Sequence, residues 1–474
     1  MFFLKYFYIE NIFNFSLLFH FFYTIKKKKI IKNKLLFKME NIEKKGCAIE
    51  FDRNKCIKCT KCVMRCTKNV VGHLKVEGQG KERTIEHNEN PCILCGQCTL
   101  VCPVNAMREQ TSIDEVKNAI NDKTKIVIVQ SAPSVRSSIN EVFKIEHSKD
   151  IEKKLNTAYR KLGFDKVFDV NFGADITTMV EAEELIERIE NKDTLPMFTS
   201  CCPAWVLYVE KYHPELKQNL TTARSPHIHS GIAYKTWWAE KEGINPKDIV
   251  VVSVMPCTAK KHESNLETAT INGMKAVDYV LTVRELGKMI KEANIDFSNL
   301  EESEVDKYGE YTGSGIIYGT SGGVMESALR TAYKMISGKD LENVELHEVR
   351  AEMTGFKTAN IDINGKNINV AVVAGVKNIE TLLNELKEYP NKYQYVEVMN
   401  CVGGCVNGGG QPLLPMKPMD EPILIEKRRN VLYSMDGANK KRKAYENELV
   451  KEYLNWLEKD KELKHKALHC EYNF

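Results

Sequence analysis

From Lys125 onward, short apolar runs alternate along the chain with segments whose apolar residues recur at helical spacing. The helical spacing is clearest over residues 176–191, 284–294 and 376–389. Runs rich in Val, Ile and Phe predict buried strands, and these are KIVIVQ, KVFDVNF, LPMFTS, IVVVSVMP, DYVLTV, INVAVVAG and YQYVEVM. A regular alternation of strands and helices is typical of α/β domains with largely parallel sheets.

Two regions of different character flank this body. Residues 47–110 are short, rich in cysteine and poor in apolar periodicity, and the segment 112–122 is predicted to be a connecting helix. Residues 440–474 are highly charged, with Tyr445, Leu449, Tyr453 and Leu457 at helical spacing, and predict a helical tail on the surface of the body. We therefore expect domains over 47–110, 120–439 and 440–474.

The first 38 residues form a separate extension. An apolar stretch from Phe2 to Ile25 is long enough to span a bilayer, but it is interrupted by polar residues and followed by the lysine run KKKKIIKNK. The favoured interpretation is that translation starts at Met39 and that residues 1–38 are not part of the fold. The alternative is a membrane anchor that holds the domains on the cytoplasmic side.

The distribution of charge along the chain argues against nucleic acid as a partner. The formal net charge of +4 comes from the extension, which carries eight lysines and one glutamate, whereas the rest of the chain has 60 basic and 63 acidic residues. That balance gives no indication of nucleic-acid binding, and local lysine clusters would suit a small acidic redox protein. The expected location is the cytoplasm.

Eight of the fifteen cysteines lie in two runs with the spacing C-x2-C-x2-C-x3-C. The runs are Cys56, Cys59, Cys62, Cys66 and Cys92, Cys95, Cys98, Cys102. Thiolates at this spacing are typical of iron–sulfur clusters, and a structural zinc site is the weaker alternative. Such a pair of runs resembles bacterial ferredoxins, in which the fourth cysteine of each run binds the cluster of the other. The resemblance implies one 4Fe–4S cluster on Cys56, Cys59, Cys62, Cys102 and another on Cys92, Cys95, Cys98, Cys66.

Five further cysteines lie in three short motifs, FTSCCPAW, MPCTAKKHE and EVMNCVGGCVNGGGQP, each directly after a predicted strand. Strand ends that meet at one edge of a sheet are where α/β folds build sites. Cys257, Cys401 and Cys405 offer three ligands for a third cluster. Neighbouring side chains in extended backbone point to opposite sides, so we expect one of Cys201 and Cys202 to be a ligand and the other a free thiol.

These three motifs resemble the signature of iron-only hydrogenases, which interconvert protons, electrons and molecular hydrogen. YGTSGGVMESALRTAY, QSAPSVR and the ending HKALHCEYNF are similar to further segments of that family. The resemblance implies a ferredoxin-like α+β dicluster domain followed by a two-lobed α/β catalytic domain. It also implies an H-cluster, which is a 4Fe–4S cubane joined to a two-iron unit that bears carbon monoxide, cyanide and a dithiolate. Reduced ferredoxin or a similar redox protein, and maturation proteins that build the two-iron unit, are the partners it implies.

The resemblance also assigns roles. The cubane ligands would be Cys202, Cys257, Cys401 and Cys405, with Cys405 as the bridge to the two-iron unit. Lys260 would donate to a cyanide, and the remaining lining would be Ala132, Pro133, Ser134, Ser225, Met255 and Met399. Cys201 would be the proton donor.

A proton relay is expected beyond Cys201. Glu181, Glu184 and Arg188 fall on one helical face and match the relay positions of the family, and Thr221 stands where a serine is usual. Tyr318 and His227 are departures near the expected pocket, where phenylalanine and glutamine are common. Taken alone, such a charged stripe is more often a solvated helix face.

Two other functions compete with this interpretation. Non-catalytic iron–sulfur assembly proteins resemble hydrogenases but typically lack the tandem cysteines and the relay carboxylates, both of which this chain has. Hydrogen sensors usually carry an appended sensory domain, and the sequence shows no such segment.

Overall fold

The computed structural model describes residues 42–45, 48–351, 354–415 and 417–472. The extension over residues 1–38 and the unassigned Cys47 lie outside these ranges, so the interpretations that concern them stay predictions. Within the described ranges, no helix is both long enough and apolar enough to cross a bilayer.

Strands and helices alternate through most of the described chain. The strands are β1 (Ile42–Lys45), β2 (Ile49–Asp52), β3 (Leu74–Glu77), β4 (Thr84–His87), β5 (Met107–Glu109), β6 (Ile126–Ser131), β7 (Lys166–Asp169), β8 (Met197–Phe198), β9 (Ile249–Met255), β10 (Thr270–Ile271), β11 (Met274–Lys275), β12 (Tyr279–Thr282), β13 (Phe356–Ile363), β14 (Lys366–Ala374) and β15 (Tyr395–Met399). The α-helices are α1 (Lys61–Asn69), α2 (Ile113–Asn121), α3 (Pro133–Arg136), α4 (Ile139–Val142), α5 (Ile151–Leu162), α6 (Val170–Asn191), α7 (Pro203–Tyr212), α8 (Pro226–Ala233), α9 (Ala239–Glu242), α10 (Ala259–Glu263), α11 (Val283–Glu292), α12 (Gly313–Ile316), α13 (Gly323–Ser337), α14 (Val376–Glu388), α15 (Asp420–Ala438), α16 (Glu448–Leu457) and α17 (Lys461–Leu468).

Two four-stranded sheets form the body. The first has the order β12-β9-β6-β7 and is parallel throughout. The second has the order β13-β14-β15-β8, in which only the β13–β14 pair is antiparallel. Strands covered on both faces need continuous apolar sequence, and β9 and β15 meet that demand because their side chains are almost all buried. The α/β interpretation of the body is confirmed.

The ends of these strands bring the motifs together. β6 ends directly before Ala132, β9 ends two residues before Cys257, and β15 ends two residues before Cys401. β8 ends shortly before Cys201. Because parallel strands deliver their carboxyl ends to the same side of a sheet, residues far apart in sequence meet at one place.

The cysteine-rich region has its own small sheets. β1, β2 and β5 form an antiparallel sheet, β3 and β4 form a hairpin, and α1 carries the end of the first cysteine run. The charged C-terminal segment forms α16 and α17 rather than one helix. Tyr453 of α16 is fully buried and lies against Trp237, so this tail is part of the core packing.

Three sequence interpretations need correction. The run KVFDVNF is a strand only to Asp169, because the Asp169 carboxylate accepts a hydrogen bond from the Asn171 backbone at 2.8 Å and thereby caps helix α6. LPMFTS forms a strand of only two residues. The sequence interpretation missed β13, which forms an antiparallel hairpin with β14. Asn364 and Gly365 form the turn of this hairpin, and both have positive φ. An Asn-Gly pair between apolar runs is a signal for such a hairpin.

We expect Arg330→Met to destabilise the body strongly. The Arg330 guanidinium is buried in α13 and holds the buried carboxylates of Glu326 at 2.7 Å and Asp436 at 2.9 Å. Removing one partner of a buried ion pair leaves uncompensated charge, at a cost of about 3 kcal/mol. Thermal unfolding should show a clear loss, whereas Lys334→Met on the same helix, which removes a partly exposed pair with Asp340, should change little. Equal midpoints for the two variants would contradict the prediction.

Candidate active site

A cavity with a mainly apolar lining lies where the strand ends of the two sheets meet. Concave apolar sites that hold a few polar groups are where small molecules and cofactors typically bind. Its walls hold eleven of the residues that the sequence analysis assigned to the H-cluster or its proton donor, namely Ala132, Pro133, Ser134, Cys201, Cys202, Met255, Cys257, Lys260, Met399, Cys401 and Cys405. The fold therefore brings together three motifs that lie at 198–205, 255–263 and 397–412 in the sequence.

Ser225 is placed differently. It precedes α8 and is buried, but it lines a neighbouring cavity with Arg224, Glu263 and Cys470 instead of the main one. The next residues along the chain, Pro226 and His227, do reach the main cavity. Tyr318 lines it as well, so both departures from the usual family residues face this space.

The cysteine geometry bears on the choice between clusters and zinc. Zinc holds its sulfur ligands at about 2.3 Å and therefore draws them close together. Among the described residues, no group of three or more His, Cys, Asp or Glu side chains is arranged to hold a single metal ion. The cysteines instead surround cavities, an arrangement that fits a polynuclear cluster.

Two smaller cavities contain the cysteines of the ferredoxin-type runs. One is lined by Cys56, Cys59, Cys62 and Cys102, and the other by Cys66, Cys92, Cys95 and Cys98. Each set takes three cysteines from one run and the fourth from the other. Cys95 also lines the main cavity, and Phe51 and Met107 line both of the smaller ones, so the three cysteine-lined spaces are linked in series.

The cysteine-rich region contacts the body through close backbone approaches. A Cβ atom on Gly409 would lie 2.2 Å from the carbonyl oxygen of Cys95, so no larger residue fits there. Thr258 Oγ1 donates to the Leu94 carbonyl at 2.8 Å. The Gln97 side-chain amide reaches across to donate to Cys401 Sγ at 3.1 Å and to the Asn407 carbonyl at 2.7 Å. This contact holds the second small cavity against the main one.

Lys260 is held at the cavity wall by an ion pair. Its ammonium donates to the Cys201 carbonyl at 3.0 Å and lies 2.7 Å from Glu263, which also contacts His227 Nε2 at 2.6 Å. Burial alone would raise the pKa of Glu263, but the charges of Lys260 and His227 lower it to about 2. The resulting carboxylate raises the pKa of Lys260 against the opposite effect of burial. Lys260 is therefore a fixed cation at neutral pH.

Cys201 and Glu181 both hold their protons. Burial raises the pKa of the Cys201 thiol well above its usual range, and negative charge on Glu181 raises it further once Glu181 ionises. Burial also raises the pKa of Glu181 to about 8. Tyr395 donates a hydrogen bond to Glu181 Oε1 at 2.9 Å, whereas Glu181 Oε2 is buried without a hydrogen-bond partner among the described residues. Glu181 is thus a neutral acid near pH 7 that can gain or lose a proton close to that pH.

Glu184, Thr221 and Arg188 form a connected group further along α6. Thr221 Oγ1 donates to Glu184 Oε2 at 2.6 Å, and Arg188 contacts Glu184 Oε1 at 2.6 Å. Arg188 also donates to the carbonyls of Leu220 and Gln218 at 2.9 and 3.1 Å. Glu184 and Arg188 are about 9% and 8% exposed, compared with 1% for Glu181. All three side chains are therefore buried, and the alternative of a solvated helix face does not describe them.

Sequence analysis missed three residues that organise this site. Glu263 fixes Lys260 and His227, Gln97 contacts Cys401, and Tyr395 holds Glu181. Glu263 had a usable signal, because it stands one helical turn after Lys260 within the motif MPCTAKKHE. Gln97 and Tyr395 had none, since their partners lie more than 200 residues away.

Three family models match consecutive parts of the chain. The 4Fe-4S dicluster domain matches residues 49–108, the C-terminal domain of the iron-only hydrogenase large subunit matches 125–409, and the iron hydrogenase small subunit matches 422–473. The largest of the three covers more than half of the chain.

Similar proteins agree with these models. Iron hydrogenase 1 of Clostridium pasteurianum is 46% identical over 92% of this chain and 77% of its own length. The cytosolic Fe-S cluster assembly factor narfl of Danio rerio is 29% identical over 75% of this chain and 88% of its own. Among solved structures, an apo [FeFe]-hydrogenase HydA1 variant from Chlamydomonas reinhardtii is 34% identical with a TM-score of 0.67, covering 76% of this chain and 99% of that one. The chain belongs to the iron-only hydrogenase family, whose enzymes are oxidoreductases that act on hydrogen and use the H-cluster.

Proposed function

We propose that this chain catalyses the reversible reduction of protons to molecular hydrogen, with electrons from reduced ferredoxin or a similar small redox protein. The observation that carries the proposal is the single cavity in which Cys201, Cys202, Cys257, Cys401 and Cys405 meet, with a buried acid beside Cys201. A protein that only transfers electrons needs no protonated thiol at its redox centre. An enzyme that combines protons with electrons at one place needs a proton donor there.

Electrons would enter through two 4Fe–4S clusters. We assign one to Cys56, Cys59, Cys62 and Cys102 and the other to Cys92, Cys95, Cys98 and Cys66, the two sets that line separate cavities. The exchange of fourth cysteines between runs, together with the antiparallel strands and α1, supports a ferredoxin-like arrangement of residues 47–110. Residues 120–439 would be the catalytic domain and 440–474 its small-subunit-like tail.

The main cavity suits the H-cluster. We assign Cys202, Cys257, Cys401 and Cys405 as cubane ligands and Cys405 as the bridge to the two-iron unit. Ala132, Pro133, Ser134, Met255 and Met399 would surround that unit, and the Lys260 ammonium would hold an anionic ligand of it. When bound, the group supplies the redox and hydrogen-binding chemistry, and the protein supplies position, charge and protons. Its assembly calls for maturation proteins.

The chain's own residues would carry the protons. Cys201 Sγ holds a proton at the cavity wall because burial opposes its ionisation. Glu181, whose Oε2 lacks a hydrogen-bond partner among the described residues, is the acid available behind it to return a proton to the thiolate. Thr221 Oγ1 and Glu184 Oε2 continue the path at 2.6 Å, and Arg188 fixes the Glu184 carboxylate at its outer end. Each group in this path can accept one proton and release another.

Hydrogen evolution from reduced methyl viologen by the anaerobically matured chain tests the function. We expect turnover together with infrared bands from the diatomic ligands of the two-iron unit. Cys405→Ala should lose those bands and the turnover, because it removes the sulfur assigned as the bridge, while the clusters of the two cysteine runs remain. Cys470→Ala, which removes a buried thiol outside the main cavity, is the control. Bands and turnover retained in Cys405→Ala would refute the assignment of the bridge, and a matured chain without turnover would refute the function.

A further inference from the structure

We infer that the surface around Cys59 is the docking face for the electron donor, and that it fits an acidic redox protein with an apolar rim around its own redox centre. We name this surface the Cys59 face and define it by Lys55, Ile57, Lys58, Cys59, Met64, Lys68 and Lys81. The inference rests on the proposed function, because it identifies where the partner of that reaction binds.

The first argument is access. Among the described cysteines, only Cys59 is exposed. It lines the outermost of the three cysteine-lined cavities. That cavity shares Phe51 and Met107 with the second, and the second shares Cys95 with the main cavity. An electron that enters at Cys59 therefore meets the three spaces in order. Direct entry at the main cavity would have to cross walls formed by buried strand ends.

The second argument is charge. Residues 53–76 contain seven lysines and arginines and no aspartate or glutamate. Three of the cations are engaged elsewhere, since Arg53 pairs with Glu86 and Arg65 with Glu421, both at 2.9 Å, and Lys75 pairs with Glu77 at 2.8 Å. Lys55 lies 3.8 Å from the Asp52 carboxylate, but its side chain is exposed, as are those of Lys58 and Lys68. Since acidic residues outnumber basic ones in the rest of the described chain, this concentration of positive charge would steer an acidic partner to one place.

The third argument is the apolar surface at the centre of the cations. Ile57 and Met64 are each 58% exposed, and they lie on the chain segments on either side of Cys59. Lys68 follows Met64 by one turn of α1, and Lys81 joins the face because its carbonyl accepts from Lys58 Nζ at 3.0 Å. An apolar centre within a charged rim is the usual anatomy of a transient interface.

A second apolar surface fits this partner poorly. Leu413, Met419 and Ile423 are also exposed, but Asp420 and Glu421 lie among them. Their carboxylates would repel an acidic protein. The charge pattern therefore favours the Cys59 face.

The test compares two triple variants that change the net charge equally. Lys55→Glu, Lys68→Glu and Lys81→Glu reverse the charge of the Cys59 face without replacing a cysteine. Lys451→Glu, Lys459→Glu and Lys461→Glu, at exposed positions of the C-terminal segment, serve as the matched control. The first measurement is the affinity of each full-length, cluster-loaded chain for an acidic clostridial-type ferredoxin in low salt. The second is the rate at which the same ferredoxin, when reduced, bleaches the absorbance of the chain's iron–sulfur clusters.

We expect the face variant to lose about tenfold or more in affinity and in the second-order reduction rate, with a weaker salt dependence. The control variant should stay within about twofold of the native chain. Reduction by dithionite and iron content should be equal in all three. Ile57→Ser with Met64→Ser should weaken binding without changing its salt dependence.

Equal losses in both triple variants, or none in either, would overturn the inference. Stronger binding of the face to anionic lipid vesicles than to ferredoxin would overturn it in favour of a membrane. Neither readout requires hydrogen turnover. A chain that binds and accepts electrons at this face but evolves no hydrogen would leave the docking inference standing and refute the proposed function.

Discussion

Cys201→Ser is expected to abolish most hydrogen turnover while leaving the metal content unchanged. The cavity surrounds Cys201 with apolar wall and with the cysteines that we assign as ligands, and Glu181 is the carboxylic acid that acts on its thiol. A serine hydroxyl is a far weaker acid than a thiol, so it cannot deliver a proton at the same rate. Loss of a positioned proton donor typically costs about 10²–10⁴-fold in rate. Turnover with reduced viologen, together with iron content and infrared spectra, measures this.

The matched control is Cys470→Ser. Cys470 is also buried, but it lines the neighbouring cavity and its backbone bonds to Thr222. We expect that variant to keep native turnover. Full activity in Cys201→Ser would show that the proton reaches the cavity another way, and a loss of the two-iron infrared bands would mean that Cys201 is needed for assembly.

The sequence predicted the strand ends better than the side-chain geometry at those ends. Runs such as IVVVSVMP and YQYVEVM need burial on both faces, so they become central parallel strands, and the cysteine motifs after them converge. The placement of Ser225 could not be predicted in this way, because a shift of one residue along the start of α8 decides which of two cavities it lines. The local sequence pattern determines helices and strands, whereas the cavity that a side chain lines depends on packing against other parts of the chain.

The tandem cysteines show the same limit. Alternation in extended backbone predicts that Cys201 and Cys202 face different spaces, yet both line the main cavity. What distinguishes them is their surroundings. The Cys201 carbonyl accepts from Lys260 and its thiol lies in the field of Glu181, whereas Cys202 begins helix α7 and its thiol lies near backbone amides such as those of Ala204 and Asn400. Amide donors favour a thiolate, whereas burial favours a thiol, as does any negative charge that Glu181 acquires; this supports a ligand role for Cys202 and an acid role for Cys201.

Tyr318, which replaces the phenylalanine that is common in the family, contacts the helix that carries Glu181. The Tyr318 hydroxyl shares a hydrogen bond with Thr178 Oγ1 at 2.8 Å, and Thr178 lies one turn before Glu181 on α6. Thr178 in turn contacts Ser327 at 2.8 Å. The tyrosine is therefore anchored to the helix that carries the acid, and it closes the cavity with a hydroxyl that is already engaged rather than open to a cofactor.

Glu181→Gln is expected to lower turnover by about 10²-fold, less than the loss at Cys201, because a water molecule can replace part of a broken relay. Glutamine is nearly the same size and can still accept the hydrogen bond from Tyr395, but it cannot carry a proton. Glu183→Gln provides the control, since Glu183 is exposed on the same helix. Equal rates in the two variants would exclude Glu181 from the path.

Glu181→Gln should also change how the melting temperature depends on pH, which can be measured without hydrogen turnover. Burial raises the pKa of Glu181 to about 8, so the folded chain keeps a proton that the unfolded chain releases near its ordinary pKa of 4.5. Glu181 therefore favours folding most at pH values below 4.5, and this contribution is lost as the pH rises toward 8. Relative to the native chain, the melting temperature of Glu181→Gln should rise steadily between these limits, and Glu183→Gln should show no such trend. A pH-independent difference would mean that Glu181 is ionised in the folded chain, in which case it could not supply a proton to Cys201 near pH 7.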